Sequence, residues 1–240
     1  MQSIFITGTD TGVGKTVLAA AILSAARARG IDAVPMKPVQ TGCTRRGRDL
    51  VAPDLEFCLS AAGLDPSPEE RRWMCPYRFM LASSPHLAAA KARVHISKGT
   101  IAADFRRILA RHDAVVVEGA GGVLVPIDGS GHTMVDVARA LALPVFLAAR
   151  SGLGTLNHAL LSLSELRRAG LKVIGVVFVD STPRRWSLIE TDNYRTIKRL
   201  GRVPLVVRLP HLPGFAAHAR PTPAERRQMN RLFQSLEKRL

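Results

Sequence analysis

A glycine-rich loop near the start of the chain has the residue types that hold a phosphate group. It spans residues 8–16 with the sequence GTDTGVGKT, after an apolar run at residues 4–6 and before an alanine-rich stretch. Such glycines let backbone N–H groups curl around an anion, and the following helix adds the positive end of its dipole. Lys15 supplies a mobile cation for the β- and γ-phosphates, and the hydroxyl of Thr16 can bind Mg²⁺. The pattern favours a P-loop over an ordinary glycine-rich turn, although its first glycine, Gly8, stands one residue earlier than the usual spacing.

Two further charged residues end predicted strands. Lys37 ends the apolar run that starts at Ala33, and Glu118 ends the run that starts at Ala114. The carboxyl ends of parallel strands share one edge of a sheet, so we expect both residues beside the P-loop. Glu118 then has the position of an acid that binds a metal or orients metal-bound water, and Lys37 could hold a phosphate or an anionic substrate. A solvated strand-end carboxylate and a surface lysine are the alternatives.

Other polar residues carry weaker signals. Asp54, which follows Ala52-Pro53, suits either a helix N-cap or a second Mg²⁺ ligand, and its spacing alone favours the cap. His86 and His158 are interpreted as capping or packing histidines. The sequence has no zinc-binding spacing and no Ser/His/Asp arrangement.

Apolar runs alternate with helical stretches, which predicts one doubly wound α/β domain with a mainly parallel sheet, like that of P-loop NTPases. The runs are continuous, as expected when helices cover both faces of the sheet. We predict this domain over residues 1–213 and a basic C-terminal segment over residues 214–240, helical or partly disordered. A polar loop is predicted at residues 45–53. The predicted strands are 3–7, 33–37, 114–118, 145–149, 173–179 and 203–207, and the predicted helices are 16–29, 54–62, 85–92, 101–110, 133–141, 156–169 and 187–200.

Composition narrows the choice of partners and compartment. The chain has 240 residues and a formal net charge of +15. No apolar run reaches the roughly 18 residues of a membrane span, and the first predicted strand begins too early for a signal peptide. Cys43, Cys58 and Cys75 show no C-x-x-C spacing and are expected to be reduced thiols in a cytoplasmic protein. The arginines are spread over the predicted helices without interleaved aromatic residues, so we expect no nucleic-acid partner.

The motifs together resemble those of the dethiobiotin synthetase family, over residues 4–213. The family's loop, including its early glycine, matches residues 8–16, and its Lys-Pro-Val-x-Ser/Thr-Gly motif matches residues 37–42. Its Glu-Gly-Ala-Gly-Gly motif matches residues 118–122. Ser-Pro-His at 84–86 and Gly-x-x-Asn-His at 154–158 are also similar. Five motifs in the right order and spacing are highly specific, and Lys-Pro-Val-x-Thr-Gly separates this family best from other P-loop proteins.

The resemblance implies a homodimeric enzyme that uses ATP and Mg²⁺ to close a ring in the penultimate step of biotin synthesis. One amine of 7,8-diaminopelargonate takes up CO₂, supplied as bicarbonate, to give a carbamate. The γ-phosphoryl group of ATP passes to the carbamate, and the neighbouring amine displaces phosphate to form the cyclic urea of dethiobiotin. The resemblance gives catalytic roles to Lys37 and Lys15, and metal-binding roles to Thr16, Asp54 and Glu118. It assigns substrate contacts to Lys37, Thr41 and Asn157, the last across the homodimer interface, and nucleotide contacts to Gly12, Val13, Gly14, Lys15, Thr16, Val17, Asp54, Glu118, Gly119, Ala120, Gly121, Leu209, Pro210 and His211.

One departure from the family pattern concerns the nucleotide base. Val179 stands before Asp180 where the family usually has the asparagine that reads adenine. The base preference therefore stays open.

Two rival functions share the P-loop. A ParA-like partitioning ATPase, which associates with DNA, would suit the basic charge. It needs a signature lysine five residues before Lys15, where this chain has Asp10. A cobyrinate amide synthetase adds a glutamine-hydrolysing domain, for which 240 residues leave no room.

Overall fold

The computed structural model describes residues 1–183, 185–213 and 222–237. Within these ranges it contains ten strands and nine helices. The strands are β1 (Ile4–Gly8), β2 (Ala33–Met36), β3 (Val39–Gln40), β4 (Thr44–Arg46), β5 (Asp49–Val51), β6 (Tyr77–Arg78), β7 (Ala114–Gly122), β8 (Val145–Ala149), β9 (Val173–Val179) and β10 (Val206–Leu209). The helices are α1 (Lys15–Arg27), α2 (Pro53–Ala62), α3 (Pro68–Met74), α4 (Pro85–Ala92), α5 (Lys98–Leu109), α6 (Met134–Leu141), α7 (Thr155–Arg168), α8 (Leu188–Leu200) and α9 (Pro223–Glu237).

Six strands form one parallel sheet in the order β10-β9-β8-β1-β7-β2. The first strand lies in the middle, so the chain winds outward from β1 in both directions. This is the doubly wound α/β fold predicted from the sequence. Its carboxyl edge collects the loops that follow β1, β2 and β7, as ligand sites of such sheets require.

Helices cover both faces of the sheet. Along β1, Ile4 and Ile6 point into a core with Leu18 and Ile22 of α1, whereas Phe5 points into the opposite core. All five side chains are fully buried or nearly so. The continuous apolar runs thus supply both cores, because successive strand residues face opposite sides.

The structure corrects three details of the predicted elements. The last strand is β10, Val206–Leu209, rather than residues 203–207, because Pro204 has no N–H to donate to a ladder. The predicted loop at residues 45–53 contains the antiparallel pair β4–β5 and the start of α2. Helix α3 was not predicted, although Ser67 and Glu70 form a capping box at its start.

The C-terminal helix α9 packs against α1. Met229 and Phe233 are buried there. The Arg29 guanidinium lies 4.6 Å from the centre of the Phe233 ring and donates to Asn230 Oδ1 at 2.9 Å. The proposed boundary between residues 213 and 214 stays a prediction, since residues 214–221 lie outside the described part of the chain. Among the helices that the structure describes, none is long and apolar enough to cross a membrane.

Candidate active site

The P-loop connects the central strand to α1 and depends on two glycines with left-handed backbone angles. Gly12 has φ 70° and Gly14 has φ 93°. A Cβ atom at Gly14 would lie only 2.5 Å from Cγ1 of Val179, so no other residue fits there without displacement. Gly14 is also the N-cap of α1, and it has no side chain to bond the first N–H groups. These N–H groups are therefore free to bind an anion.

The side chain of Lys15 folds back onto the P-loop. Its Nζ donates to the carbonyl oxygen of Asp10 at 2.8 Å, and its side chain is buried. Burial, with a further contribution from the charge of Lys37, lowers the pKa of Lys15 to about 8. Lys15 is therefore mostly protonated at neutral pH, and a phosphate beside it would favour the protonated form further.

Lys37 lies between two carboxylates at the edge of the sheet. Its Nζ is 2.6 Å from Glu118 Oε1 and 2.7 Å from Asp54 Oδ2, and it also lies 3.4 Å from the carbonyl oxygen of Gly119. Burial alone would lower the pKa of Lys37, but the two carboxylates outweigh burial and raise it above its ordinary value. Lys37 is therefore a fixed cation, positioned by strands β2 and β7 and by helix α2.

Glu118 joins this ion pair to the P-loop. The hydroxyl of Thr16 donates to Glu118 Oε1 at 2.9 Å. Burial raises the pKa of the Glu118 carboxyl, and the ammonium of Lys37 acts against this rise. Three predicted metal-binding residues, Thr16, Asp54 and Glu118, are thus brought together with Lys37.

Asp54 does not cap a helix, so the interpretation favoured by its spacing is wrong. The N-cap of α2 is Ala52, and Asp54 lies in the first turn, where its carboxylate faces Lys37. Alanine at the N-cap position has no side-chain oxygen to accept a hydrogen bond from the first turn. Asp54 instead forms an ion pair with Lys37 at 2.7 Å.

The oxygen donors suit a magnesium ion. A hydroxyl and two carboxylates are hard ligands, and Mg²⁺ typically takes one or two carboxylates together with phosphate oxygens and water. In the described part of the chain, no group of three or more His, Cys, Asp or Glu side chains could hold a metal alone. One hydroxyl and two carboxylates fit a Mg²⁺ ion whose remaining ligands are phosphate oxygens and water.

An open cleft of about 730 Å³ lies over these residues. The P-loop and α1 form one wall, and the loop after β3 and the start of α4 form the other. Thr41 lies on the second wall, and its role as a substrate contact stays a prediction. The cleft is lined by Thr11, Gly12, Gly14, Lys15, Thr16, Val17, Lys37, Val39, Gln40, Thr41, Asp54, Ala82, Ser83, Ser84, Pro85, Glu118, Ala120, Gly121 and Val125.

A second cleft, of about 240 Å³, adjoins the first at the P-loop. It shares Gly12, Gly14 and Val17 with the larger cleft and extends to the ends of β9 and β10. Its lining also includes Val13, Arg150, Val179, Asp180, Ser181, His211 and Leu212. The two clefts together form one groove across the P-loop.

Four predicted site residues lie outside both linings. Gly119 is buried beside Phe5, and Leu209 is buried within β10. Pro210 lines a separate cleft with Trp186. Asn157 is exposed on α7. Their roles stay predictions. Gly119, Leu209 and Pro210 would need backbone contacts with the nucleotide, and Asn157 would need a second copy of the chain.

Sequence reasoning gave no role to several polar residues of the groove. Asp180 follows β9 and accepts hydrogen bonds from Ser151 Oγ, Trp186 Nε1 and Arg208 Nε at 3.2, 3.0 and 2.6 Å. Arg150 follows β8 in the same way. Both residues end buried strands, so the rule that found Lys37 and Glu118 would have found them too.

Comparison with known proteins finds relatives that match most of the chain. The model of a family described as an AAA domain matches residues 2–219. ATP-dependent dethiobiotin synthetase BioD of Anaeromyxobacter dehalogenans strain 2CP-C is 40% identical over 220 residues, 92% of this chain and 95% of that protein. The protein of the same name from Anoxybacillus flavithermus is 35% identical over 217 residues, 90% of this chain and 95% of the relative.

Solved structures share the fold at low sequence identity. The cell division ATPase MinD of Pyrococcus furiosus superimposes with a TM-score of 0.64 at 13% identity, with all of both chains covered. The cobyrinic acid a,c-diamide synthase of Mycobacterium smegmatis, solved with an ATP analogue and magnesium, gives 0.58 at 13% identity, covering 99% of this chain and 95% of that one. These likenesses establish a P-loop NTPase fold.

Proposed function

Because the chain belongs to the ATP-dependent dethiobiotin synthetase family, we propose that it converts 7,8-diaminopelargonate, CO₂ and ATP into dethiobiotin, ADP and phosphate. CO₂ adds to one amine of the substrate, and the resulting carbamate takes the γ-phosphoryl group of ATP. The neighbouring amine then attacks the carbamate carbon, and phosphate leaves as the ring closes. The chain is thus a ligase of biotin biosynthesis, and the ParA-like alternative is not favoured.

The observation that carries the proposal is the position of Lys37 in the same open cleft that the P-loop lines. A carbamate is an anionic nucleophile that must approach an anionic phosphate, so catalysis depends on neutralising charge and on positioning. Lys37 offers a fixed, buried cation within hydrogen-bond distance of Glu118 and Asp54. It can hold the carbamate oxygen during phosphoryl transfer and the charge of the mixed anhydride afterwards.

We place the nucleotide along the groove formed by the two clefts. Its phosphates lie over Gly12, Val13, Gly14 and the first residues of α1, where the N–H groups and Lys15 bind them. Lys15 accompanies the transferred phosphoryl group. The base lies in the second cleft, beside Val179 and His211.

Thr16, Asp54 and Glu118 would hold Mg²⁺. When bound, the metal neutralises charge on the phosphates. Glu118 keeps the hydroxyl of Thr16 oriented through their 2.9 Å hydrogen bond. The same carboxylate orients Lys37, so one buried side chain positions both the nucleotide side and the substrate side of the site.

The diamine lies in the larger cleft, next to Thr41 and Lys37, and its carboxylate reaches Asn157 of a second copy of the chain. The surface around Asn157 supports a homodimer. Leu153, Leu161 and Leu124 are 92, 62 and 57% exposed, and Leu161 and Leu124 line one shared surface cleft. Exposed apolar side chains grouped in this way are typical of an interface. We also propose a cytoplasmic location, which the free cysteines support.

The test is mass detection of dethiobiotin after incubation with the diamine, bicarbonate, Mg²⁺ and ATP. We expect product from the wild-type protein and from Lys91→Met, which alters an exposed lysine of α4, but orders of magnitude less from Lys37→Met. Phosphate release should rise with the diamine plus bicarbonate and not with DNA. Stimulation by DNA without dethiobiotin formation would favour the partitioning ATPase instead.

A further inference from the structure

We propose that Arg150 is a further nucleotide-binding residue, which holds the α- or β-phosphate of the bound nucleotide together with the P-loop. The inference rests on the proposed function only in placing a nucleotide in the groove. It concerns a residue that none of the recognised motifs includes.

Arg150 reaches the P-loop from the neighbouring strand. It directly follows β8, which pairs with β1, the strand that leads into the loop. Its Nη2 donates to the carbonyl oxygen of Thr11 at 3.2 Å and lies 3.8 Å from where a Cβ on Gly12 would be. Gly12 belongs to both clefts, and Arg150 lines the smaller one, so the guanidinium borders that cleft on its P-loop side.

Buried polar groups fix the backbone that presents this arginine. The hydroxyl of Thr155 donates to the carbonyl oxygen of Arg150 at 2.6 Å. Asn193 Nδ2 donates to the carbonyl oxygens of Ser151 and Gly152 at 2.8 and 3.0 Å. Thr155, Asn193 and Ser151 are all buried. A surface turn held by two buried side chains, Thr155 and Asn193, presents Arg150 from a rigid base, and such preorganisation is what a binding residue needs.

The charge of Arg150 is available to a ligand. Its side chain is exposed, and among the described residues no carboxylate forms an ion pair with it. The bond to Thr11 uses one of the five N–H donors of the guanidinium. The remaining donors suit phosphate oxygens, which arginine binds strongly through charge-assisted hydrogen bonds.

Arg150 could instead stack on the base, because a guanidinium also packs on aromatic rings. The bond to the P-loop carbonyl favours the phosphate, since it places the cation beside the residues that bind phosphates. The two modes differ in one measurable respect. A phosphate contact acts equally on all nucleotides and on inorganic triphosphate, whereas a base contact acts only on nucleotides.

Isothermal titration of ADP, CDP, GDP and inorganic triphosphate into wild-type protein, Arg150→Met, Arg150→Lys and Arg106→Met tests the proposal. Arg106 is an exposed arginine of α5, so its replacement controls for the loss of one charge. We expect Arg150→Met to raise all four dissociation constants by a common factor of about ten. Arg150→Lys should restore part of the affinity, and Arg106→Met should leave it unchanged.

Several results would overturn the proposal. Unchanged affinity in Arg150→Met excludes Arg150 from binding, and loss of affinity for nucleotides but not for inorganic triphosphate assigns it to the base. Equal loss in Arg150→Lys and Arg150→Met, with a lowered melting temperature in both, reduces Arg150 to a structural role. Dethiobiotin formation is measured separately, so failure of the proposed function would leave this binding result intact.

Discussion

Replacing Lys37 by methionine should destabilise the protein as well as slow the reaction. The substitution removes the cation that lies 2.6 Å from Glu118 and 2.7 Å from Asp54. Glu118 is buried, whereas the Asp54 side chain is 34% exposed and can be solvated. The main cost is therefore one unpaired, buried carboxylate at Glu118.

Breaking a buried ion pair from one side costs about 3 kcal/mol or more. For a chain of this size, that corresponds to a fall in melting temperature of roughly 6–12 °C. The protein should still fold, because domains are stable by about 5–15 kcal/mol. Turnover should fall by about a hundredfold or more, since a preorganised charge at a transition state contributes roughly 3 kcal/mol.

The destabilisation should also depend on pH. Burial raises the pKa of Glu118 in the folded protein above its ordinary value of 4.5, and loss of Lys37 raises it further. A group whose folded pKa is raised stabilises the fold below its ordinary pKa, and this contribution is lost as pH rises through the folded pKa. The deficit of Lys37→Met should therefore be larger at pH 8 than at pH 5.

Urea unfolding at both pH values measures this effect without any assay of activity. The double variant Lys37→Met/Glu118→Gln should recover most of the lost stability at pH 8 and should lose the pH dependence. Lys91→Met serves as the control and should match the wild-type protein. A Lys37→Met protein that is as stable as wild type at pH 8, or a double variant no more stable than the single one, would refute the reasoning from the buried pair.

Three further predictions concern the groove and its surroundings. Val179 offers no polar group to a base, so the catalytic efficiency with CTP and GTP should lie within roughly one to two orders of magnitude of that with ATP. Val179→Asn should sharpen the preference for ATP. Steady-state kinetics with each triphosphate measures the efficiencies of the wild-type protein and of the variant. Asn157→Ala should weaken diamine binding more than ATP binding, and light scattering should show a dimer, whereas a fully active monomer would exclude the composite site. Because the pKa of Lys15 is about 8, this side chain loses its positive charge as pH rises past that value, and the affinity for ADP should fall. Calorimetric titrations from pH 7 to pH 9 measure this affinity, and a constant value would contradict the role of Lys15 in phosphate binding.

The sheet and the residues at its carboxyl edge could be predicted because their signals are local. Each central strand is a continuous apolar run, and Lys37 and Glu118 end such runs, so the shared edge follows from parallel topology alone. The P-loop likewise needs only the order strand, glycine loop and helix. These features therefore match the structure within a few residues.

The substrate side of the cleft could be predicted only in part. Strands β3 and β6 have two residues each, too few to show any periodicity. The partner of Asp54 is Lys37, which comes from another element, so spacing within the helix could not reveal their ion pair. The capping box of Ser67 and Glu70, by contrast, can be recognised in the sequence, and it marks the start of α3.

The strand order has a consequence for how the protein is made on the ribosome. Strand β1 is synthesised first, but its neighbours β7 and β8 lie at residues 114–122 and 145–149. The outer face of α1 is covered even later, because Met229 and Phe233 of α9 pack against it. The nascent chain thus carries the exposed apolar residues of β1 and α1 until residues 114–149 and then residues 223–237 have been synthesised, a period in which chaperones and aggregation compete for them. The phosphate loop is made well before these elements, yet its supporting structure is completed only when they have left the ribosome.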